Sequence, residues 1–400
     1  MGMEVFILAA MALMLSYLSV LIFVGGRPLR SAAAAVEIDH PSGPWPRLAL
    51  LVPVTGAAAG LEGRLQALLR QDYPDYEVVF ATRDAQDPAT AVIQSLIPRY
   101  PRARHVVAGP ARSCGQKNFN LLAALKLVGQ TPEILVFCDS NQEAPPEWLR
   151  ELTALLAAGK AEVSSGFHHL IAADFRLAGL GRAVTVLTLY VAKGLRLLNQ
   201  PWGGSTAIRR SLFEELKVAA LWAENVVDDV SLGARLARAG IRVGVPRGAR
   251  LYTHLEGETL GDWSRWLTRQ WLYMKFCMPL NWLAQGLVVH LLLALVALAL
   301  ATPLLALVGL FSGTLPIVAA VLFLAGMVWL GIALRSLHPS PGPLRQWLAA
   351  FLAAIAMGSW CHLQSVFIKE MHWRGIAYRV GWRGRVIEVR SDLDQAGAND

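Results

Sequence analysis

The chain has 400 residues, of which 54% are hydrophobic and only 16% charged, with a mean hydropathy of +0.42; soluble globular proteins run near 25% charged, so a wholly water-soluble protein is excluded. The net charge is +8 and the pI about 9.5. Many basic residues flank apolar segments or crowd the C-terminal end, which suits anionic lipid headgroups or an anionic substrate, and no aromatic-interleaved basic module points to nucleic acid.

Residues 3–24 are a nearly uncharged apolar run of bilayer length. No positive n-region precedes it, and Arg27 and Arg30 follow it. The run therefore reads as a transmembrane anchor (residues 1–30) with its N-terminus outside and the following chain in the cytosol. Residues 31–46, rich in Ala, Pro and Gly, read as a linker. Residues 47–275 have the punctuation of an α/β domain. A buried strand at 48–55 ends on Thr55 and Gly56, and a helix with Leu61, Leu65, Leu68 and Leu69 follows. A second strand, 76–82, ends on Arg83 and Asp84. A third, 105–108, precedes Gln116, Lys117 and Asn120 at the start of a helix. The fourth, 135–138, is an apolar run that stops abruptly at Asp139, Ser140 and Asn141. Strands alternating with helices at this spacing predict a mostly parallel sheet, with Thr55, Asp84, Lys117 and Asp139 on one edge.

A further strand is expected at 163–167, and residues 178–198 form an apolar helix punctuated by Arg182, Lys193 and Arg196, read as interfacial or buried rather than spanning. The loop Trp202, Gly203, Gly204, Ser205 supplies backbone that a ligand can approach closely, and Asp228 and Asp229 open the next helix. Segments 283–310, 315–334 and 347–366, inside an apolar block at 276–368, are candidate spans. Residues 369–400 form a basic tail carrying Lys369, Arg374, Arg379, Arg383, Arg385 and Arg390. One anchor plus three more crossings leaves that tail outside, whereas its charge puts it inside. One of the three segments is therefore re-entrant, interfacial or double. Cys114, Cys138, Cys277 and Cys361 show neither CxxC spacing nor clustered His partners, which argues for reduced thiols and against zinc.

Asp84, Asp139 and the pair Asp228 and Asp229 each stand at the end of an apolar segment. Three acidic positions match the needs of a nucleoside-diphosphate sugar: contacts to base and ribose, a divalent cation on the diphosphate, and a base for the acceptor hydroxyl. Walker A and GxSxG patterns are absent, as is GxGxxG after a strand, which removes support for P-loop, serine-hydrolase and dinucleotide readings. Asp87 reads as a turn residue before Pro88, His168 and His169 as residues following a strand, and at least one of Trp263, Trp266 and Trp271 as packing. Arg374, Tyr378 and Arg379 either reach the nucleotide or bind anionic lipid.

The ordered set Tyr73-Pro74, Tyr76, Arg83-Asp84, Asp87-Pro88, Lys117 with Asn120, Cys138-Asp139-Ser140, Asp228-Asp229, and Trp373-Arg374 with Tyr378-Arg379 resembles the ceramide glucosyltransferase family (glycosyltransferase family 21) over nearly the whole chain. A bacterial branch that glycosylates hopanoids shares these motifs. The resemblance implies a cytosol-facing GT-A domain, a Rossmann-like mostly parallel α/β fold, on a membrane. It implies inverting transfer of a hexose from a UDP-sugar, UDP-glucose foremost, to the primary hydroxyl of ceramide. By motif position Asp84 meets the uridine end, Asp139 holds the metal (Mn2+ or Mg2+) and diphosphate, and Asp229 is the catalytic base. Asp228 stands where the family usually has Glu. Of the family's (Gln/Arg)xxArgTrp signature, Arg265-Trp266 fits the last two positions but leaves Asp262 at the first, and Arg269-Gln270-Trp271 is a competing register. With Thr55, Lys117, Asn120 and Arg379, these complete the expected nucleotide-sugar contacts. Trp202, Gly203, Gly204 and Ser205 are expected at the acceptor entrance. A hopanoid or other lipid acceptor, a processive polysaccharide synthase, and a transporter or lipid-binding scaffold are the alternatives; the scaffold leaves the strand-end carboxylates without a purpose.

Overall fold

The structure, a computed structural model, describes residues 2–31, 43–195, 198–311 and 313–391; most of the expected linker and the last nine residues lie outside that set. The large sheet follows directly from the apolar runs. Strands β1 (Leu48–Pro53), β2 (Tyr76–Thr82), β3 (Ala103–Val107) and β4 (Ile134–Phe137) pair in parallel in the order β3-β2-β1-β4. Residues of β1 alternate between the two faces. Leu48, Leu50 and Val52 pack under α3 (Leu61–Leu69), α4 (Pro88–Leu96) and α6 (Trp148–Ala157). Ala49 and Leu51 pack under α5 (Gln116–Leu127), α8 (Arg210–Glu215), α9 (Val218–Trp222) and α10 (Asp229–Arg238). Because both faces are covered, these strands carry continuous rather than alternating apolar sequence.

The sheet continues through β7 (Thr206–Arg209), antiparallel to both β4 and β5 (Val163–Ser165), and ends on β8 (Val243–Gly244). Winding reverses at β1, with β2 on one side and β4 on the other, so the carboxyl ends of β1, β2 and β4 open a crevice of the kind that receives nucleotides. Strands β6 (Phe167–Ala172) and β9 (Arg250–Leu255) form a separate parallel pair.

Among the described residues, four helices are long and apolar enough to cross a membrane. These are α1 (Gly2–Ser19) with the π-turn and short α2 (Arg27–Ser31) that follow it, α12 (Pro279–Leu307), α13 (Leu315–Arg335) and α14 (Leu344–Phe367). Two further helices, α7 (Leu177–Lys193) and α11 (Leu260–Cys277), connect this layer to the sheet domain. The long apolar helix expected at 178–198 is a packed helix that ends at Lys193, buried along Leu180, Val184, Leu187 and Val191, while Arg196 and Leu197 of that expectation lie outside the described residues.

The four apolar helices are not equivalent. The far ends of α1, α12 and α13 meet around Glu4, Met11, Thr302, Phe311 and Pro316, away from the sheet domain. Both ends of α14, by contrast, are tied to it. In the loop before α14, His338 Nε2 donates to the Leu170 carbonyl of β6 (3.0 Å). After it, Lys275 of α11 donates to the Ser365, Val366 and Ile368 carbonyls (2.7, 2.9 and 2.8 Å), capping the helix C-terminus. Between these ties α14 packs on α7 and α11 and across the near ends of α12 and α13.

The segment read as a basic tail is a folded element. Residues 370–391 form an antiparallel sheet, β10 (Glu370–Trp373), β11 (Ile376–Val380) and β12 (Val386–Ser391). Its apolar residues Met371, Ile376, Tyr378, Val380 and Val386 pack on Val226, Val227, Leu272 and Cys277. Alternation of these with Arg379, Glu388 and Arg390 buries one face and leaves charge on the other.

Candidate active site

The site is built where two chain segments bring carboxylates, and a third a backbone carbonyl, to one lysine. Helix α5 begins with its backbone pressed against residues 225–226. Gly115 N–H donates to the Asn225 carbonyl (2.9 Å), and a Cβ at Gly115 would lie 2.2 Å from the Val226 oxygen, so only glycine permits the approach. That seat puts Lys117 between Asp139, at the tip of β4, and Asp228. Its ammonium is 2.8 Å from Asp139 Oδ1 and 2.9 Å from Asp228 Oδ2, and donates to the Gly203 carbonyl at 3.3 Å. Three donors meet three acceptors. Burial opposes the charge on Lys117, but Asp139 and Asp228 outweigh it and hold its pKa well above the usual lysine range. Gly203 must also be glycine, since a Cβ there would lie 2.3 Å from Asp228 Oδ2.

The two adjacent aspartates have different environments. Asp228 is 3% exposed and committed to Lys117. Asp229, the first residue of α10, is half-buried and makes no ion pair among the described residues. Its oxygens accept only from backbone, Val230 N–H at 2.7 Å and Gly203 N–H at 3.0 Å. Burial, with Asp228's charge adding to it, pushes its pKa up to about 6, against the pull of Lys117 and the two N–H donors.

Asp87 organises the tip of β1. It is the N-cap of α4, accepting from Ala89 N–H (2.9 Å), and it also accepts from Thr55 Oγ1 (2.7 Å) and Gly56 N–H (2.8 Å). Thr55 is therefore held by Asp87, and its carbonyl accepts from Arg374 Nη1 at 2.8 Å. Arg374 sits in the β10–β11 turn with φ 50°, and it makes no ion pair among the described residues. Burial lowers its pKa, Asp87 raises it, the Arg269 charge lowers it further and Asp139 raises it. Asp84 follows β2; its side chain is half-buried and has no partner among the described residues, while its carbonyl accepts from Thr82 and Thr90 hydroxyls.

Other expected residues lie elsewhere. Arg265 points to solvent, paired with Asp262 at 2.5 Å, and Asp262 is itself engaged in a capping box with Thr259. Arg269, one turn further on, is half-buried, and its Nε is buried without a hydrogen-bond partner among the described residues. Gln270 Nε2 donates to the Trp266 carbonyl (3.4 Å), and Trp271 is 8% exposed against His362. Asn120 is 4% exposed and committed to the Ala81 carbonyl and to Gln116. Arg379 lies on the outward face of β11, bound to Glu388 at 3.2 Å, while its neighbour Tyr378 points inward and accepts from Gln116 N–H (3.2 Å). Register explains the exchange: adjacent strand residues face opposite ways. Trp202 stacks on His168 with ring centroids 4.3 Å apart, and Gly204 packs on the Trp202 ring. Ser205 is fully buried and accepts from Trp148 Nε1 (3.0 Å), so it supports the turn from beneath.

Two residues beside the cluster carried a sequence signal that motif reading passed over. Tyr273 lies one helical turn after Arg269 and lines a small cavity with Lys117, Asp228, Trp373 and Tyr378. Lys193 is the cation at the end of a largely apolar helix whose other cation, Arg182, is paired with Glu258.

Asp139 is the residue with capacity for a divalent ion. One of its oxygens is bound to Lys117, its side chain is 31% exposed, and a carboxylate suits a hard cation. Among the described residues no group of three or more His, Cys, Asp or Glu is placed to hold a metal, so the ion's remaining ligands would be substrate oxygens and water, as is usual for Mg2+.

A mostly parallel sheet with carboxylates at its reversed-winding edge is the GT-A glycosyltransferase fold. Among solved structures the chain is similar to the mannosyltransferase PcManGT from Pyrobaculum calidifontis, in complex with GDP-Man and Mn2+, with a TM-score of 0.51 and 19% identity over 88% of this chain and 99% of that one. The model of glycosyl transferase family 21 matches residues 5–386, and the chain belongs to that family. The protein is a glycosyltransferase whose apolar helices make it a membrane protein.

Proposed function

We propose that the protein transfers a hexose from a UDP-sugar, UDP-glucose foremost, to the primary hydroxyl of ceramide or a ceramide-like lipid, with inversion. The observation that carries this reading is Asp229: a half-buried carboxylate that makes no ion pair among the described residues, its pKa pushed up to about 6 by burial and the Asp228 charge, beside a neighbour paired to Lys117. A base poised near neutrality can take a hydroxyl proton at working pH.

In this mechanism Gly203 and Val230 N–H groups hold Asp229 in place. Asp229 accepts the acceptor's proton as the oxygen attacks the anomeric carbon from the face opposite the diphosphate. The bond from that carbon to the phosphate oxygen breaks and UDP departs with the electron pair. Arg269 and Arg374 receive the growing charge, and Asp84 meets the uridine end. A divalent cation, Mn2+ or Mg2+, held by Asp139 and the diphosphate would supply further neutralisation of the leaving group. Trp202, Gly203 and Gly204 form the floor on which the acceptor hydroxyl is presented.

The same reading sets the topology. Helices α1, α12 and α13 cross the bilayer and α14 lies along its surface, because both its ends are bonded to the catalytic domain. Three crossings put the catalytic domain and the folded C-terminal sheet together on the cytosolic side, where Arg27 and Arg30 stand.

The test is UDP release by the purified protein in detergent with Mn2+, across a panel of UDP-sugars, with and without ceramide, and with EDTA controls. Ceramide-dependent, EDTA-sensitive release with one sugar supports the reading. Release that depends on a hopanoid alone keeps the site and replaces the acceptor, and silence across donors and lipids rejects the proposal.

A further inference from the structure

Helix α7 brings one cation to the catalytic domain that the mechanism above leaves unused. Lys193 is 8% exposed and makes no ion pair among the described residues. Its ammonium donates to Ser165 Oγ (2.9 Å) and to the Gly166 carbonyl (3.2 Å). A buried ammonium without a carboxylate partner is costly, and an apolar side chain would serve packing alone.

What Lys193 holds leads back to the catalytic carboxylate. Ser165 Oγ accepts the Trp202 N–H (2.9 Å) and donates to the Ser205 carbonyl (3.0 Å), so it grips the chain on both sides of the two glycines. Thr206 Oγ1 closes the same turn by donating to the Trp202 carbonyl (2.7 Å). Inside it, Gly203 gives its N–H to Asp229 and its carbonyl to Lys117. Lys193 is thus two hydrogen bonds from the turn that aims Asp229.

We propose that Lys193 is a positioning residue for the reaction: it fixes Ser165 and, through it, the Trp202–Gly204 turn, so that the Gly203 N–H holds Asp229 toward the acceptor, and its charge favours the ionised form of Asp229. The inference rests on Asp229 being the base. The groups facing these two are few. His168 on β6, pushed down to about 3 by burial with Arg182 and Lys193 adding to it, stays neutral. Tyr273 on α11, pushed up to about 12 by burial, stays protonated. Asp228 is paired with Lys117 on α5, and its charge raises the Asp229 pKa. Burial lowers the Lys193 pKa to about 7 while Asp229 pulls it up. The coupling is reciprocal, so a protonated Lys193 lowers the Asp229 pKa.

The experiment compares the full-length wild type with Lys193→Met, Lys193→Gln and Asp229→Asn for kcat, donor KM, UDP affinity and the pH profile of transfer. Lys193→Met is expected to keep its UDP affinity and to lose kcat by about tenfold to a hundredfold through misplacement of the base. Its acidic limb moves up by roughly half a pH unit or more, because the cation that favoured Asp229 ionisation is gone. Lys193→Gln restores a donor without the charge, so kcat partly recovers while the limb stays displaced. Wild-type kcat and limb in both Lys193 variants, or a parallel loss of UDP affinity and kcat with an unmoved limb, overturns the inference. If Asp229→Asn is inactive while the Lys193 variants behave as wild type, only this inference fails. Full transfer by Asp229→Asn removes the base itself.

Discussion

The carboxyl edge of the large sheet and the distal half of the helical layer are opposites in what they leave unsatisfied. At the sheet edge charge is withdrawn from water: Asp228 is 3% exposed, Lys117 is held by two carboxylates, and neither Arg269 nor Arg374 makes an ion pair among the described residues. In the layer it is apolar surface that is left open: Leu300, Leu304 and Leu307 of α12 are 65%, 63% and 82% exposed. Each region is complete only with a partner of matching chemistry, an anionic diphosphate for the first and lipid for the second. Helix α14 is the border between them, one side on α7 and α11, the other across α12 and α13.

The comparison breaks most severely at Lys117. Lys117→Met leaves Asp139 and Asp228 facing each other without a cation, and removing one partner from a buried ion pair costs on the order of 3 kcal/mol or more. The expected result is a clearly lower thermal midpoint in detergent together with loss of transfer. A variant as stable as wild type would show that the cluster is not a structural unit. Arg374→Ala has a smaller effect, confined to the donor: KM for the UDP-sugar rises about tenfold, the loss of one charge-assisted contact, while UDP-free stability stays the same. An unchanged KM would return the β10–β11 turn to a purely structural role.

The third test leaves catalysis alone and sharpens the border. All four native cysteines are buried, so single cysteines introduced by Ser336→Cys and Thr314→Cys, both at exposed positions, report topology cleanly. In sealed vesicles, a membrane-impermeant thiol reagent is expected to reach position 336 from the catalytic-domain side and position 314 from the other. Labelling of both from one side would contradict a bilayer-crossing α13 and with it the three-crossing arrangement.

Much of the sheet was legible because its physics is local. Short continuous apolar runs rich in β-branched and aromatic residues and ending in turn residues read as strands covered on both faces, and β1, β2 and β4 announce themselves in that way. The carboxylates followed from the strands, since a residue at a strand end has its place set by the sheet. What could not be read depends on contacts made far along the chain. By composition α14 is indistinguishable from a span; the ties that set it apart, His338 to the Leu170 carbonyl and Lys275 to its last carbonyls, are long-range contacts, and the surface placement proposed for it rests on them. Arg265 and Arg269 are one helical turn apart and equally plausible in sequence, and it is the capping box of Thr259 and Asp262 that claims the first. The C-terminal sheet did carry an alternating pattern, but its many arginines masked it as a tail. Choosing between Tyr378 and Arg379 required the register of β11.

The most direct measurement of the central claim is the pH dependence of sugar transfer by the wild type, set beside Asp229→Asn. A base whose pKa burial and Asp228 raise to about 6 is protonated below that pH and ionised above it. Transfer should therefore rise as pH increases through about 6 and be flat by pH 8, and the Asn variant should lose transfer at every pH while still binding UDP. A rate that does not change between pH 5 and 8, or a limb near 6 that persists in the Asn variant, would contradict Asp229 as the base.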